Sequence, residues 1–216
     1  MSSVYYEEIF ASIQGESTDT GKPCVFVRLH GCPIGCSYCD QKQDKSSRRR
    51  ISITNIEKQV RRFKGIDEVC ITGGEPLIYG NDLMQIVYCL QGAGKNVSIE
   101  TSGCFEIEDV PYQRSYRYIM DVKCPSSDVS DKNILDNLLI LRRKDDVIFA
   151  VSDREDYEFA KNVLKKYPTL ATVFFSPVFD EEMKPVINTA ELTNWIIEDR
   201  LKCRIQIQLH KILGVQ

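Results

Sequence analysis

The sequence carries no excess of positive charge: 28 Lys and Arg stand against 31 Asp and Glu, a net charge of −3, and the isoelectric point is near 5.6. Nucleic-acid binding draws on clustered cations that neutralise phosphates, so small-molecule chemistry is favoured over DNA or RNA chemistry. No run reaches the ~18 to 20 apolar residues of a membrane span, and the first residues, MSSVYYEEIF, lack the basic segment and apolar stretch of a secretion signal. A cytoplasmic protein is expected. Internal repeats and low-complexity tracts are also missing. The 216 residues, 43% hydrophobic and 27% charged, fit one domain over 1–216 with one core. Nine cysteines are an odd number and, one cluster apart, are scattered. In a reducing compartment that pattern argues for thiols and a metal site rather than a disulfide frame.

What is present is an alternation of short β-rich runs with longer amphipathic ones. Strands are expected at 24–30, 68–72, 96–101, 118–123, 146–151, 172–177 and 204–210. Helices are expected at 54–63, opened by a Thr54 and Glu57 capping box, and at 81–91 with Asn81 as cap. Others are expected at 130–143, at 152–167 with a second capping box in Ser152 and Glu155, and at 188–201. Such alternation predicts parallel βαβ units. A closed eight-stranded barrel typically takes about 250 residues, so the expected fold is α/β, an incomplete TIM-type barrel of parallel strands. The strand exits read HGC, TGGEP, ETSG, DVKCP, VSD, SPV and LHK. Polar or glycine-rich exits on one rim imply a shared site at the carboxyl ends of the strands.

Cys32, Cys36 and Cys39 have the spacing C-x3-C-x2-C. Three thiolates from one loop can hold three irons of a cubane cluster and leave the fourth open to a small molecule. The alternative is structural zinc, which takes four ligands, usually as two pairs; there is no second C-x2-C, and His30 is the one nearby candidate. The remaining cysteines, 24, 70, 89, 104, 124 and 203, read as buried or half-buried thiols. Glu16 and Glu75 could be solvated loop acids, and Trp195 reads as helix core. KSSRRR at 45–50 reads as a solvated loop, with docking of an electron-donating flavoprotein as the alternative.

The C-x3-C-x2-C motif with Tyr38 before its last cysteine, together with GGEP at the end of the next strand, resembles the signature pair of radical S-adenosylmethionine enzymes. The resemblance implies that the methionyl group chelates the open iron and that one electron breaks the sulfonium bond, giving a 5'-deoxyadenosyl radical. EEIFASIQGES, GKPCVFVRLHGC, IETSG, DVKCPSS and QLHKILGVQ are similar, in order, to the motifs of 7-carboxy-7-deazaguanine synthases. Those enzymes are small, dimeric and magnesium-assisted. They convert 6-carboxy-5,6,7,8-tetrahydropterin to 7-carboxy-7-deazaguanine with loss of ammonia, on the way to queuosine-type nucleosides.

Carried over by position, the resemblance implies substrate contacts from Ile13, Gln14, Gly15, Thr101 and the terminal Gln216. Arg28 is implied as partner of the substrate carboxylate, a role that suits its planar fork. Tyr38, Cys39, Asp40, Glu75, Gly103, Asp121, Val122, Lys123, Ser176, Pro177, Val178 and Phe179 are implied to surround adenosylmethionine. A homodimer and an electron donor such as flavodoxin are implied partners. The chain departs from the family at Gln41, where Ser or Thr supplies a magnesium ligand, and at Ser17, where glycine is usual. A glycyl-radical enzyme activase or a non-catalytic metal-binding module are the alternative functions.

Overall fold

The computed structural model describes residues 2–39, 41, 48–107 and 115–215. Nine strands form one open sheet: β1 (Ser3–Ile13), β2 (Pro23–Leu29), β3 (Arg49–Ser52), β4 (Glu68–Gly73), β5 (Asn96–Thr101), β6 (Arg117–Val122), β7 (Asp146–Val151), β8 (Thr172–Pro177) and β9 (Arg204–Ile205). Their order is β3-β1-β2-β4-β5-β6-β7-β8-β9. From β2 to β9 every pairing is parallel, as an incomplete barrel requires. β1 runs antiparallel to both β2 and β3; these two edge strands were not among those expected from the sequence, whereas the expected strands pair in parallel.

Strand alternation divides the core. Val25, Val27, Val69, Ile71, Val97, Ile99, Met120, Val147, Phe149 and Phe175 join the large cluster under the helices. Residues of the other parity form smaller clusters on the opposite face, Cys24, Phe26 and Cys70 in one and Ile119, Ile148 and Phe174 in the other. Because side chains alternate with period 2, the same parity continues to the carboxyl ends as Arg28, Thr72, Glu100, Asp121, Ala150 and Ser176, all lining one cavity. A doubly covered sheet thus buries one face under helices and turns the other into a site.

The helices are α1 (Ile53–Val60), α2 (Asn81–Gly92), α3 (Asn137–Ile140), α4 (Arg154–Lys166), α5 (Thr189–Glu198) and α6 (Leu209–Leu213). Several expected details are corrected. Thr54 lies inside α1, whose N-cap is Ser52 without a side-chain cap bond. Asn81 is the first residue of α2, capped by Gly80. The cap of α4 is Asp153, which accepts from the Asp156 amide, rather than Ser152. The helix expected at 130–143 shrinks to a 3-10 turn (Ser130–Lys132) and α3. Asn133 and Asn137 spend their amides on the backbone of Lys123, Ser130, Gly103, Phe105 and Ile107, competition that disfavours helix. The strand expected at 204–210 pairs only over Arg204–Ile205, and His210 lies in α6. Arg49 and Arg50, read as loop, begin β3.

The β1–β2 connection closes the amino-terminal end of the barrel. Arg117 pairs with Asp19 and with Asp146 (2.5 Å), and Asp146 also accepts from the Thr18 amide (3.1 Å) and hydroxyl (3.0 Å). Burial raises the Asp146 pKa against these bonds, while the two carboxylates raise that of Arg117 against its own burial. Ser17 sits at φ 71, a region glycine occupies without penalty, and its amide donates to Gln206 Oε1 at 2.6 Å. The turn therefore holds a residue with a Cβ in the left-handed region. Arg117→Ala leaves fully buried Asp146 without its cation, and unfolding in urea should show a loss of about 3–5 kcal/mol; a loss below about 1 kcal/mol would contradict a structural role for the pair.

Candidate active site

The cavity measures about 500 Å³. Its wall begins with the loop after β2, where Cys32 and Cys39 are exposed and Cys36 is half-buried; all three line the cavity with Tyr38 and Gln41. Burial raises the Cys36 thiol pKa, against the pull of Lys123.

Backbone contact fixes the root of this loop. Gly74 N donates to Leu29 O (3.0 Å) and Glu75 N to Gly31 O (2.8 Å), which carries the β2–β4 ladder past the strand ends. A Cβ on Gly73 would lie 2.1 Å from Leu29 O, and one on Gly74 2.0 Å from Gly31 O. Both positions therefore need glycine for close backbone approach. Glu75, 1% exposed, points into the protein. One carboxylate oxygen accepts from Leu77 N (3.0 Å) and Thr101 Oγ1 (2.8 Å), the other from Ser102 N (2.8 Å) and Ser102 Oγ (2.5 Å). It ties the exit of β4 to that of β5.

The far side of the loop is held as firmly. Ser37 N donates to Ser127 O (3.0 Å), Ser37 Oγ to Ser126 O (2.7 Å) and Lys132 Nζ to Ile34 O (2.6 Å). The 126–127 turn is anchored by buried Asp156 of α4, which accepts from Ser126 N, Ser126 Oγ and Ser152 N at 2.9, 2.5 and 2.8 Å. This network accounts for the VSD exit after β7, which supports the site without lining it.

Opposite the cysteines, the QGE turn and the C-terminal segment hold each other. Leu209 N donates to Gly15 O (3.0 Å) and Gln208 Nε2 to Glu16 Oε1 (2.5 Å). His210 lies where a side chain at residue 15 would stand, since a Cβ there would be 1.9 Å from its Nδ1. Between these walls Arg28 donates through Nε to Glu8 (2.9 Å) and lies 5.3 Å from the Phe10 ring centre. Among the described residues its terminal amino groups have no protein partner. Phe10 stacks on Phe26 at 5.3 Å. Lys123 is held by Asp121 at 2.5 Å; burial opposes its charge, but Asp121, helped by Tyr38 and Cys36, outweighs burial and raises its pKa.

The positions implied by sequence mostly converge. Ile13, Gln14, Gly15, Arg28, Thr101, Asp121, Lys123, Ser176, Pro177, Val178 and Phe179 line the cavity with the cysteine loop. Glu75 and Val122 are buried behind it, and Gly103 (φ 72) backs onto Met120. Asp40 and Gln216 lie outside the described residues. Sequence reasoning missed Glu100 and Thr72. Glu100 Oε1 accepts from Gln14 Nε2 (3.3 Å) and Oε2 from Thr72 Oγ1 (2.6 Å). The available signal was a carboxylate at the inward parity of β5, at the carboxyl end of the strand and next to Thr101.

The residues suit a cluster with a small-molecule cofactor rather than a lone metal ion: Cys32, Cys36 and Cys39 line one cavity, but among the described residues no three such side chains converge on a single ion, and ligands of separate irons need not. Three buried polar atoms on the wall, Tyr38 OH, Asp121 Oδ1 and Ser176 Oγ, have no hydrogen-bond partner among the described residues, and such atoms are met by ligand or water in working proteins. His30, the zinc candidate, contacts Glu7 through Nδ1 at 3.1 Å and is not on the wall. Three soft thiols and three unsatisfied polar groups therefore line the same cavity.

Residues 26–119 match the family model of the radical SAM superfamily. The chain is 36% identical over 216 residues to the 7-carboxy-7-deazaguanine synthase of Koribacter versatilis, covering 95% of each. It is 36% identical over 209 residues to that of Methanospirillum hungatei, covering 96% of this chain and 84% of the relative. Its fold matches the crystal structure of QueE from Escherichia coli with a TM-score of 0.74 at 22% identity, covering 96% and 95% of the two chains. The family-model match and these relatives together make the chain a radical S-adenosylmethionine enzyme. Within that class, the chain belongs to the 7-carboxy-7-deazaguanine synthase family. Gly74→Ala should cut iron retained after anaerobic reconstitution to about half or less while far-UV circular dichroism is unchanged; full iron retention would show that the backbone contact is dispensable.

Proposed function

We propose that the chain is a carbon–nitrogen lyase that converts 6-carboxy-5,6,7,8-tetrahydropterin to 7-carboxy-7-deazaguanine with release of ammonia, in 7-deazapurine biosynthesis. The observation that carries this reading is Arg28, whose uncommitted amino groups share one cavity with three cysteines of a single loop. A bidentate pair with the substrate carboxylate would use those donors. Glu100, oriented by Gln14 and Thr72, would accept from N–H groups of the pterin, and Thr101 and the backbone of Ile13 to Gly15 would complete its outline. Phe10 and Phe26 offer a flat apolar surface beside it.

The cysteine loop would hold a 4Fe-4S cluster and, with it, adenosylmethionine, which together supply the one-electron cleavage that begins radical chemistry. Tyr38, Cys39, Asp121, Lys123 and the 176–179 turn would orient the adenosylmethionine, and the segment at 208–215 would exclude water from that side. A glycyl-radical activase must admit a protein loop, whereas here the QGE turn and the C-terminal segment are bonded to each other and close the wall opposite the cysteines. A homodimer and a flavodoxin-like electron donor in the cytoplasm complete the proposal.

Two outcomes test it. Anaerobic incubation of the reconstituted chain with the carboxylated tetrahydropterin and adenosylmethionine should yield 7-carboxy-7-deazaguanine, and Arg28→Lys should raise KM for the pterin by about tenfold or more because a point charge replaces a planar fork. No product from a preparation that still cleaves adenosylmethionine would sink the assignment. Gln41, on the cavity wall, would serve as a magnesium ligand through its carbonyl, on a longer arm than the family's hydroxyl. Gln41→Ser should lower the magnesium concentration for half-maximal rate; a rate indifferent to magnesium in both proteins after chelation would remove the metal from the account.

A further inference from the structure

Three consecutive arginines, Arg48, Arg49 and Arg50, are exposed along the free edge of the sheet. Their charges are held open rather than neutralised. Arg48 lies over the Tyr5 ring (3.4 Å) and Arg49 over Tyr6 (5.4 Å), Arg49 donates to Glu7 O (2.5 Å) and Arg50 to Ser3 Oγ (2.7 Å). Among the described residues none of the three forms an ion pair with a carboxylate. The acids of β1 are turned elsewhere, Glu8 to the Arg28 guanidinium and Glu7 to the His30 ring. Aromatic rings, one backbone carbonyl and one hydroxyl therefore fix the direction of three guanidinium groups without cancelling their charge.

The position of this edge matters as much as its charge. Arg49 pairs with Tyr6 and Arg50 with Tyr5; across β1, Tyr6 pairs with Leu29 and Tyr5 O accepts from His30 N at 3.0 Å. Arg49 and Arg50 are thus two strand spacings, about 10 Å, from the residues that lead directly into Cys32. Tyr79 OH bonds both Tyr5 O (2.9 Å) and His30 O (2.6 Å), which makes the connection rigid. On the same loop Cys32 and Cys39 are exposed. A cationic edge, rigidly joined to the root of the cluster loop, is what an incoming electron carrier of opposite charge requires.

We propose that Arg48, Arg49 and Arg50 form the docking edge for an acidic one-electron carrier protein of the flavodoxin type, which delivers its electron through the exposed side of the cysteine loop. This rests on the cluster reading above. In the transfer the carrier loses one electron and the cluster gains one, with no bond made or broken. A nucleic acid is the other polyanion such an edge could meet, but the chain's net charge of −3 opposes it beyond the patch, and the link to the cysteine loop gives it no purpose.

The test titrates the full chain with oxidised flavodoxin by calorimetry and follows reduction of the reconstituted cluster by flavodoxin hydroquinone in stopped flow. Replacing all three arginines, R48E/R49E/R50E, should weaken binding and slow reduction at least tenfold, whereas turnover driven by dithionite stays within about twofold of the native rate. With the native chain, raising ionic strength from about 50 to 300 mM should weaken flavodoxin binding severalfold, an arm that needs no variant to fold; Arg48→Glu alone, outside β3, is the milder substitution. Unchanged binding and reduction in a folded triple variant, or binding indifferent to salt, would overturn the proposal. So would a triple variant that loses affinity for a single-stranded RNA oligonucleotide but not for flavodoxin. Absence of dithionite-driven turnover in the native chain would count against the proposed function and leave the docking result standing.

Discussion

The backbone of Gly73 and Gly74 lies directly against that of Leu29 to Gly31, and the rest of the site depends on that contact. It sets the starting point of the cysteine loop, because the β2–β4 ladder continues into the glycines instead of ending at the strand tips. It also places Glu75, whose four accepted hydrogen bonds fix Thr101 and Ser102 at the next exit. Three consecutive strand exits become one rigid rim. On the other side the buried Asp156 fixes the 126–127 turn, and that turn holds the loop at Ser37. The cysteines can be exposed because the residues around them are not free to move.

The same economy governs the interior. From β2 to β8 one parity of the strands packs under the helices; the other passes a thin apolar layer and ends at the cavity, in a polar side chain on β2, β4, β5, β6 and β8 and in Ala150 on β7. Arg117, Asp146 and the 14–22 turn plug the lower end. That turn does double work. Its lower half neutralises the plug, and its upper half, Gln14 to Glu16, orients Glu100 and receives the C-terminal segment. Ser17 at φ 71 shows that the turn's shape is set by these partners, since a residue with a Cβ is held where glycine is easier.

Much of this was legible in the sequence, for a physical reason. Parallel strands buried on both faces read as short β-branched runs, and the runs at 96–101, 146–151 and 172–177 coincide with β5, β7 and β8. The cysteine spacing and GGEP could be read because a cluster and a close backbone approach tolerate few other residues. Less visible was β1, whose charged positions Glu7 and Glu8 are matched by His30, just past β2, and Arg28 on β2, pairings no local pattern announces. The apolar periodicity of 130–143 suggested a helix that Asn133 and Asn137 unmake by bonding to backbone elsewhere. Glu100 was hidden by being one acid among many until strand parity turned it inward.

The central claim is that three thiolates from one rigid loop leave one iron of a cluster open to adenosylmethionine. Electron–nuclear double resonance on the reduced, reconstituted chain, with adenosylmethionine labelled with 15N at the methionyl amine and 17O at the carboxylate, tests it most directly. The account predicts that both labels couple to the cluster spin, as ligands of the open iron. A cluster spectrum indifferent to both labels, with adenosylmethionine bound, would contradict it.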